Sequence, residues 1–272
     1  MNTDTQYAIE YQENGNGEAI VFVPGSFSTG SSWRTIATPL SERYRTITTS
    51  LSGYGKTQER RSPGGSHMED QMDVLETVLQ KVDAPVHLVA HSYGAWSALL
   101  LAIRRPSKLL SLTFFEPTVF DLLSLCDEAT FHQEVLELVN RYTTEWDAGN
   151  KMAVRHIIDF YGGQGAFSAF PDPVKDKLVS QTETNILDWQ SGFASPVSLQ
   201  ELSAIRVPTA IVCGSASHMA MRRSNHLLSE HLSSSSLTML EGANHFMIGT
   251  HAKQLTEIIG KHISGSLHHV AV

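Results

Sequence analysis

In the run Val89-Ala90-His91-Ser92-Tyr93-Gly94-Ala95 a serine stands between two small residues, Ala90 and Gly94, each two positions away. An apolar stretch precedes it and a helical pattern follows. That spacing suits a strained turn from strand to helix, because the two elements approach closely only if both flanking side chains are small. Such a turn lifts the Ser92 hydroxyl clear of the backbone and aims the next amide, Tyr93 N–H, at the same space. Ser92 therefore reads as a nucleophile, but a hydroxyl attacks only when a base takes its proton. Thirteen histidines compete for that role. His245, in Gly242-Ala243-Asn244-His245-Phe246, follows the last strand-like run and precedes a terminal helix, and so has the context of a base. His91 is expected to point away from the nucleophile, and His218 and His251 to lie at the surface.

Attack on a carbonyl creates a negative oxygen, which needs a second preorganised donor beside Tyr93 N–H. Pro24-Gly25-Ser26-Phe27 supplies one: Gly25 permits a sharp exit from a strand, and the Ser26 amide, or failing it Phe27, then faces the nucleophile.

These groups need a scaffold. Short apolar runs at Ala19–Val23, Arg45–Leu51, Val86–His91, Leu112–Glu116, Thr209–Cys213 and Leu237–Leu240 alternate with helical patterns at Met68–Lys81, Tyr93–Arg104, Met219–Leu232 and Thr250–Ile263. Apolar strands separated by helices predict an α/β fold with a mostly parallel sheet covered on both faces. Tyr7–Tyr11 and Ala19–Val23, joined across Glu13-Asn14-Gly15-Asn16-Gly17, read as an antiparallel hairpin. From Pro117 to about Arg206 the alternation stops, and amphipathic patterns follow at Phe131–Trp146, Met152–Tyr161 and Val174–Leu187. The expected organisation is a core of residues 1–117 and 206–272 with an all-helical cap, residues 118–205, over the sheet's C-terminal edge. That edge is where open α/β sheets bind ligands.

Composition narrows the function classes. A formal net charge of −8 leaves no basic face for nucleic acid or anionic lipid. The polar N-terminus does not look like a signal peptide, and no apolar run approaches the ~20 residues of a membrane span, so a cytoplasmic protein is expected. Two cysteines, Cys126 and Cys213, make neither a disulfide framework nor a thiolate metal site.

Taken together, Pro24-Gly25-Ser26 through Trp33, Leu51-Ser52-Gly53-Tyr54-Gly55, His91-Ser92-Tyr93-Gly94 and Gly242-Ala243-Asn244-His245 resemble the ordered motifs of the α/β-hydrolase fold. The resemblance covers about residues 7–262 and implies a mostly parallel sheet and a Ser–His–acid triad. Only the hairpin strand precedes Ala19, so the family's usual first strand is expected to be missing, leaving about seven. Three departures stand out. Pro24-Gly25 replaces the usual His-Gly, and Ser50 begins a segment that usually begins with Asp. The usual acid, in Gly-x-x-Asp after the next-to-last strand, is absent: the segment reads Gly214-Ser215-Ala216-Ser217, with no carboxylate between Arg206 and Glu230. In a subset of the fold, haloalkane dehalogenases among them, the acid ends the strand after the nucleophile. Similarity to that subset points to Glu116 in Phe114-Phe115-Glu116-Pro117, with Asp121 and Asp127 as reserves.

The resemblance implies a hydrolase that cleaves a carboxylic ester or related small acyl substrate through an acyl-Ser92 intermediate. C–C bond hydrolysis, perhydrolysis or lyase chemistry would use the same residues. A ligand-binding protein with a degenerate hydrolase site also stays open, because Gly-x-x-Asp is missing. An Asp nucleophile would have marked a dehalogenase or an epoxide hydrolase. Phe27, Trp146 and Phe160 are expected to contact an apolar substrate, within a set of cap aromatics that also includes Phe131, Tyr161, Phe167, Phe170 and Trp189. No metal, cofactor, nucleic acid or membrane partner is expected, and a homodimer stays open.

Overall fold

All five residues of Ala19–Val23 are buried, and their side chains divide by parity: Ala19, Val21 and Val23 enter one hydrophobic cluster, Ile20 and Phe22 another. A strand buried on both faces must lie inside a sheet layered on each side. The computed structural model describes residues 7–104 and 109–270, with side chains as far as Ser266. Its strands are β1 (Tyr11–Asn14), β2 (Ala19–Val23), β3 (Arg45–Thr49), β4 (Val86–His91), β5 (Leu109–Phe115), β6 (Thr209–Gly214) and β7 (Ser235–Leu240). They form one seven-stranded sheet in the order β1-β3-β2-β4-β5-β6-β7. Neighbours run parallel except at β1, which lies antiparallel to β3, with Tyr11 opposite Thr49 and Asn14 opposite Thr46.

The seven-stranded, mostly parallel sheet is the one expected; the hairpin is not. Both edges of β2 are taken by parallel partners, β3 and β4, so the incoming chain pairs on the outer edge of β3 instead. Among the described residues three helices cover one face: α1 (Arg34–Leu40), with Ile36 and Leu40, α12 (Met247–Thr250), with Met247 and Ile248, and α13 (Ala252–Val270), with Leu255, Ile259 and Ile263, pack over Ile20 and Phe22. The other face carries α2 (Glu69–Val82), α3 (Ser92–Arg104) and α11 (Met219–His231). Sequence patterning missed α1, whose period is interrupted by Pro39 and preceded by a 3-10 turn at Gly30–Trp33.

Between β5 and β6 the regular elements are all helical: α4 (Asp121–Leu125), α5 (Ala129–Asp147), α6 (Arg155–Gly162), α7 (Ala166–Ala169), α8 (Asp172–Ser180), α9 (Thr182–Phe193) and α10 (Leu199–Ala204). The single helix expected over Val174–Leu187 breaks at Gln181. There Ser180 Oγ donates to Lys177 O (2.8 Å) and Thr182 Oγ1 to Leu178 O (3.2 Å). Hydroxyls that bond the carbonyls of the preceding turn compete with the helix ladder and bend it. Beyond the break, α9 carries Asp188 into the interior.

Candidate active site

β4 gives way to α3 at Ser92, whose φ is 56°. For a residue with a Cβ this left-handed conformation costs roughly 1–2 kcal/mol. Among the described residues five non-glycines have positive φ, and three of them, Phe27 (59°), Ser92 and Glu116 (45°), belong to this site. Strain concentrated in one place signals a geometry that the surrounding structure enforces. Two glycines make room for it. A Cβ on Gly94 would stand 2.2 Å from Pro24 O, and one on Gly25 would stand 2.7 Å from Ser92 Cβ.

Ser92, His245 and Glu116 form one hydrogen-bonded line. His245 Nε2 lies 2.8 Å from Ser92 Oγ and its Nδ1 2.7 Å from Glu116 Oε2. All three residues are buried. With Nδ1–H donating to the carboxylate, Nε2 is left to accept the serine proton. Glu116 follows β5, and its other oxygen, Oε1, accepts from Gly214 N–H (2.7 Å), Ser217 Oγ and Cys213 Sγ (3.4 Å). Burial opposes its ionisation, yet the bonds from His245, Ser217 and Gly214 hold the carboxyl below its usual range. The reserves, Asp121 and Asp127, take no part in this line.

Two side chains that sequence reasoning did not assign brace the imidazole. The Tyr161 ring stacks on His245 with centroids 4.1 Å apart at 16°. His91 does not point away, as expected, but reaches back: its Nε2–H donates to His245 O (3.0 Å) and its ring lies 4.6 Å from that of His245. Burial, and then the neighbouring His245, push the His91 pKa well below its usual value, so it is a neutral ring with one N–H to give. His218 packs against Phe160 (4.4 Å between centroids) and only partly reaches solvent.

A cavity of about 590 Å³ opens onto Ser92 and His245. Its walls are mainly apolar and include Phe27, Trp33, Ile158, Phe170, Leu178 and Ile248. Ser26 also lines it. Tyr93 N–H is the first amide after Ser92, and the Tyr93 hydroxyl bonds Ser191 on α9. Of the three expected substrate contacts, Phe27 is in the wall and Phe160 and Trp146 are not. Phe160 lies behind Tyr161 (5.4 Å between centroids), because consecutive helical residues point about 100° apart and Tyr161 takes the inward direction. Trp146 sits near the end of α5 with Lys151 Nζ 3.9 Å from its ring centroid.

Beside the cavity lies a buried polar cluster that sequence reasoning missed entirely. Asp188 on α9 accepts from Ser26 Oγ (2.5 Å), Tyr54 Oη (2.6 Å) and Arg61 Nη1 (2.6 Å). Arg61 also binds Glu59 through Nε (2.9 Å) and Nη2 (2.8 Å). Burial works against the Arg61 charge, but Asp188 and Glu59 outweigh it, and the guanidinium stays firmly protonated. Among the described residues no group of three or more His, Cys, Asp or Glu could hold a metal ion, and no helix is long and apolar enough to cross a membrane.

The model of the alpha/beta hydrolase family matches residues 20–258. A probable lysophospholipase, BODYGUARD 1 of Arabidopsis thaliana, is 29% identical over 119 residues, 40% of this chain and 25% of the relative. A haloalkane dehalogenase of Agrobacterium fabrum is 30% identical over 115 residues, 42% of this chain and 37% of the relative. The matched segment thus spans well under half the length of either protein. An alpha/beta hydrolase enzyme from a Medee basin deep-sea metagenome library superposes with a TM-score of 0.79 at 18% identity, over 97% of this chain and 96% of the other.

Proposed function

The chain belongs to the alpha/beta hydrolase family, and from that premise we propose that it hydrolyses carboxylic esters through an acyl-Ser92 intermediate. The observation that carries this reading is the line Ser92 Oγ–His245 Nε2–Nδ1–Glu116 Oε2, with contacts of 2.8 and 2.7 Å. Glu116 holds the tautomer in which Nε2 is basic. As Nε2 takes the hydroxyl proton, Ser92 Oγ attacks the ester carbonyl, and the Ser26 and Tyr93 amides receive the negative oxygen. The imidazolium returns its proton to the departing alcohol. Water then enters, gives a proton to Nε2 and attacks the acyl carbonyl; the imidazolium returns that proton to Ser92 Oγ as the C–O bond breaks and the acid leaves.

The cavity supports an apolar substrate. Ile158, Tyr161, Phe170, Val174 and Leu178 come to its walls from the helical insertion, which supports reading residues 118–205 as a cap. The Ser92 turn argues against the chemistry of the dehalogenase relative, since a carboxylate nucleophile is expected for halide displacement. The 2.7 Å contact of His245 Nδ1 with Glu116 Oε2 favours the hydrolase over a ligand-binding protein with a degenerate site, a reading that rests on the absent Gly-x-x-Asp. The test is labelling by a fluorophosphonate probe together with hydrolysis of p-nitrophenyl esters. Labelling and turnover that both vanish in Ser92→Ala are expected; a wild-type chain that neither labels nor turns over esters would sink the proposal.

A further inference from the structure

Asp188 and Arg61 are buried together, and moving two charges out of water costs several kcal/mol per ion before their attraction returns it. Apolar side chains would dock α9 against the core at less cost, so the charges call for another reason. Their partners suggest one. Asp188 joins three segments: α9 itself, the loop after β2 through Ser26, and the loop after β3 through Tyr54 and Arg61. On the loop after β2, next to Ser26, Phe27 is held at φ 59°. Tyr54 Oη donates to the same Asp188 oxygen as Ser26 Oγ, so the side chain of Ser26 is tied to both α9 and the loop after β3.

We propose that Asp188 is a positioning residue for the oxyanion hole: through Ser26 Oγ it fixes the Ser26 amide toward Ser92, so the hole is complete only while α9 is docked. The inference rests on the acyl-enzyme reading above. Its consequence is that closure of the insertion and stabilisation of the tetrahedral oxygen are one event, because the carboxylate that docks the helix also sets the donor.

Ser26→Ala in the full chain is the cleanest test, since it keeps the amide and leaves the Arg61–Asp188 pair intact. Two readouts separate positioning from support of the fold. One is the division between kcat and KM on p-nitrophenyl butyrate; the other is inhibition by a trifluoromethyl ketone, whose adduct with Ser92 places a negative oxygen in the hole. A misplaced donor should cost less than the roughly 10²–10³ of a deleted one, so kcat should fall about tenfold to hundredfold with KM within about threefold. The ketone should bind more weakly by the same factor. Asp188→Asn should show the same signature per fluorophosphonate-titrated site, with little further loss when combined with Ser26→Ala. Unchanged kcat and ketone affinity in Ser26→Ala, or a loss confined to KM and Tm, would overturn the proposal. If instead the wild type fails to react with the fluorophosphonate, the acyl-enzyme reading itself is wrong and this inference falls with it.

Discussion

Ser217 donates its hydroxyl to Glu116 Oε1, the carboxylate oxygen that faces away from His245. It does so from the fourth position of Gly-x-x-x, where the family's usual acid would stand, and Gly214 N–H donates to the same Glu116 oxygen at 2.7 Å. The tip of β6 thus supplies no carboxylate but grips the one at the end of β5.

Glu116→Gln keeps the shape but cannot stabilise an imidazolium by charge. By analogy with the Ser–His–Asp template, kcat should fall on the order of 10³–10⁴ while the far-UV spectrum stays unchanged. A variant retaining more than about a tenth of wild-type kcat would remove Glu116 from the proposed mechanism. Ser217→Ala takes away one donor to the charged form, so the Glu116 pKa should rise from its lowered value, which carboxyl titration followed by 13C NMR would measure.

Ser92→Gly and Ser92→Ala should both abolish labelling, yet differ in stability. At φ 56° alanine keeps the strain and glycine sheds it. The strain relieved is about 1–2 kcal/mol, against less than about 1 kcal/mol of added unfolded-state entropy. The glycine variant should therefore melt about 2–4 °C above the alanine one. Equal or inverted melting temperatures would contradict the strain assigned to this turn.

Gly94→Ala sets two effects against each other. Helix propensity favours alanine by about 1 kcal/mol. Its Cβ, however, would lie 2.2 Å from Pro24 O, a backbone atom that cannot rotate aside. Overpacking of this kind costs about 1–3 kcal/mol, so urea unfolding should show net destabilisation with reduced esterase activity. A stabilised, fully active variant would mean that the Pro24 turn yields easily.

Stability should decline below neutral pH because of buried histidines. Burial, and then His262, push the His87 pKa down to about 4; His91 is held well below its usual value. In the unfolded chain both take up a proton near pH 6.5, so the unfolded state binds more protons between there and the folded values. Stability is then fullest above that pH, falls by up to about 1.4 kcal/mol per pH unit for each ring as pH drops, and levels off below the folded pKa. Urea midpoints at about pH 7 and pH 5 measure the fall, and His87→Leu should make it shallower by about one proton. A midpoint that does not move between these values would refute it.

What could be read from sequence was what depends on neighbours in the chain. β4 and the small residues about Ser92 are local signals, and Val86–His91 is the strand expected. So is the position of His245 after the last strand. Glu116 was reached only through likeness to a subset of the fold, since nothing in Phe-Glu-Pro shows which imidazole it meets. The Asp188 cluster has no local signature, because its bonds to Tyr54 and Arg61 bridge 134 and 127 residues. The hairpin failed for a related reason: alternation specifies a strand but not its partner, and β2 already had two. Phe160 and Trp146 are aromatic at helical spacing, which identifies a buried face without saying what it faces.

The insertion begins almost at the side chain that binds His245: β5 ends at Phe115, Glu116-Pro117 follow, and α4 starts at Asp121. Where the acid lies beyond β6, a stretch between β5 and β6 can be exchanged by recombination without touching the carboxylate that orients the imidazole. Here the splice would run beside it. A chimera that joins a foreign insertion upstream of Glu116 loses the acid, whereas one joined after Pro117 keeps it but still loses Asp188 and its hold on Ser26. On the proposed mechanism, shuffling between relatives should yield active enzymes only when the graft retains the Glu116-Pro117 seam, and fully active ones only when it also keeps a carboxylate in the place of Asp188.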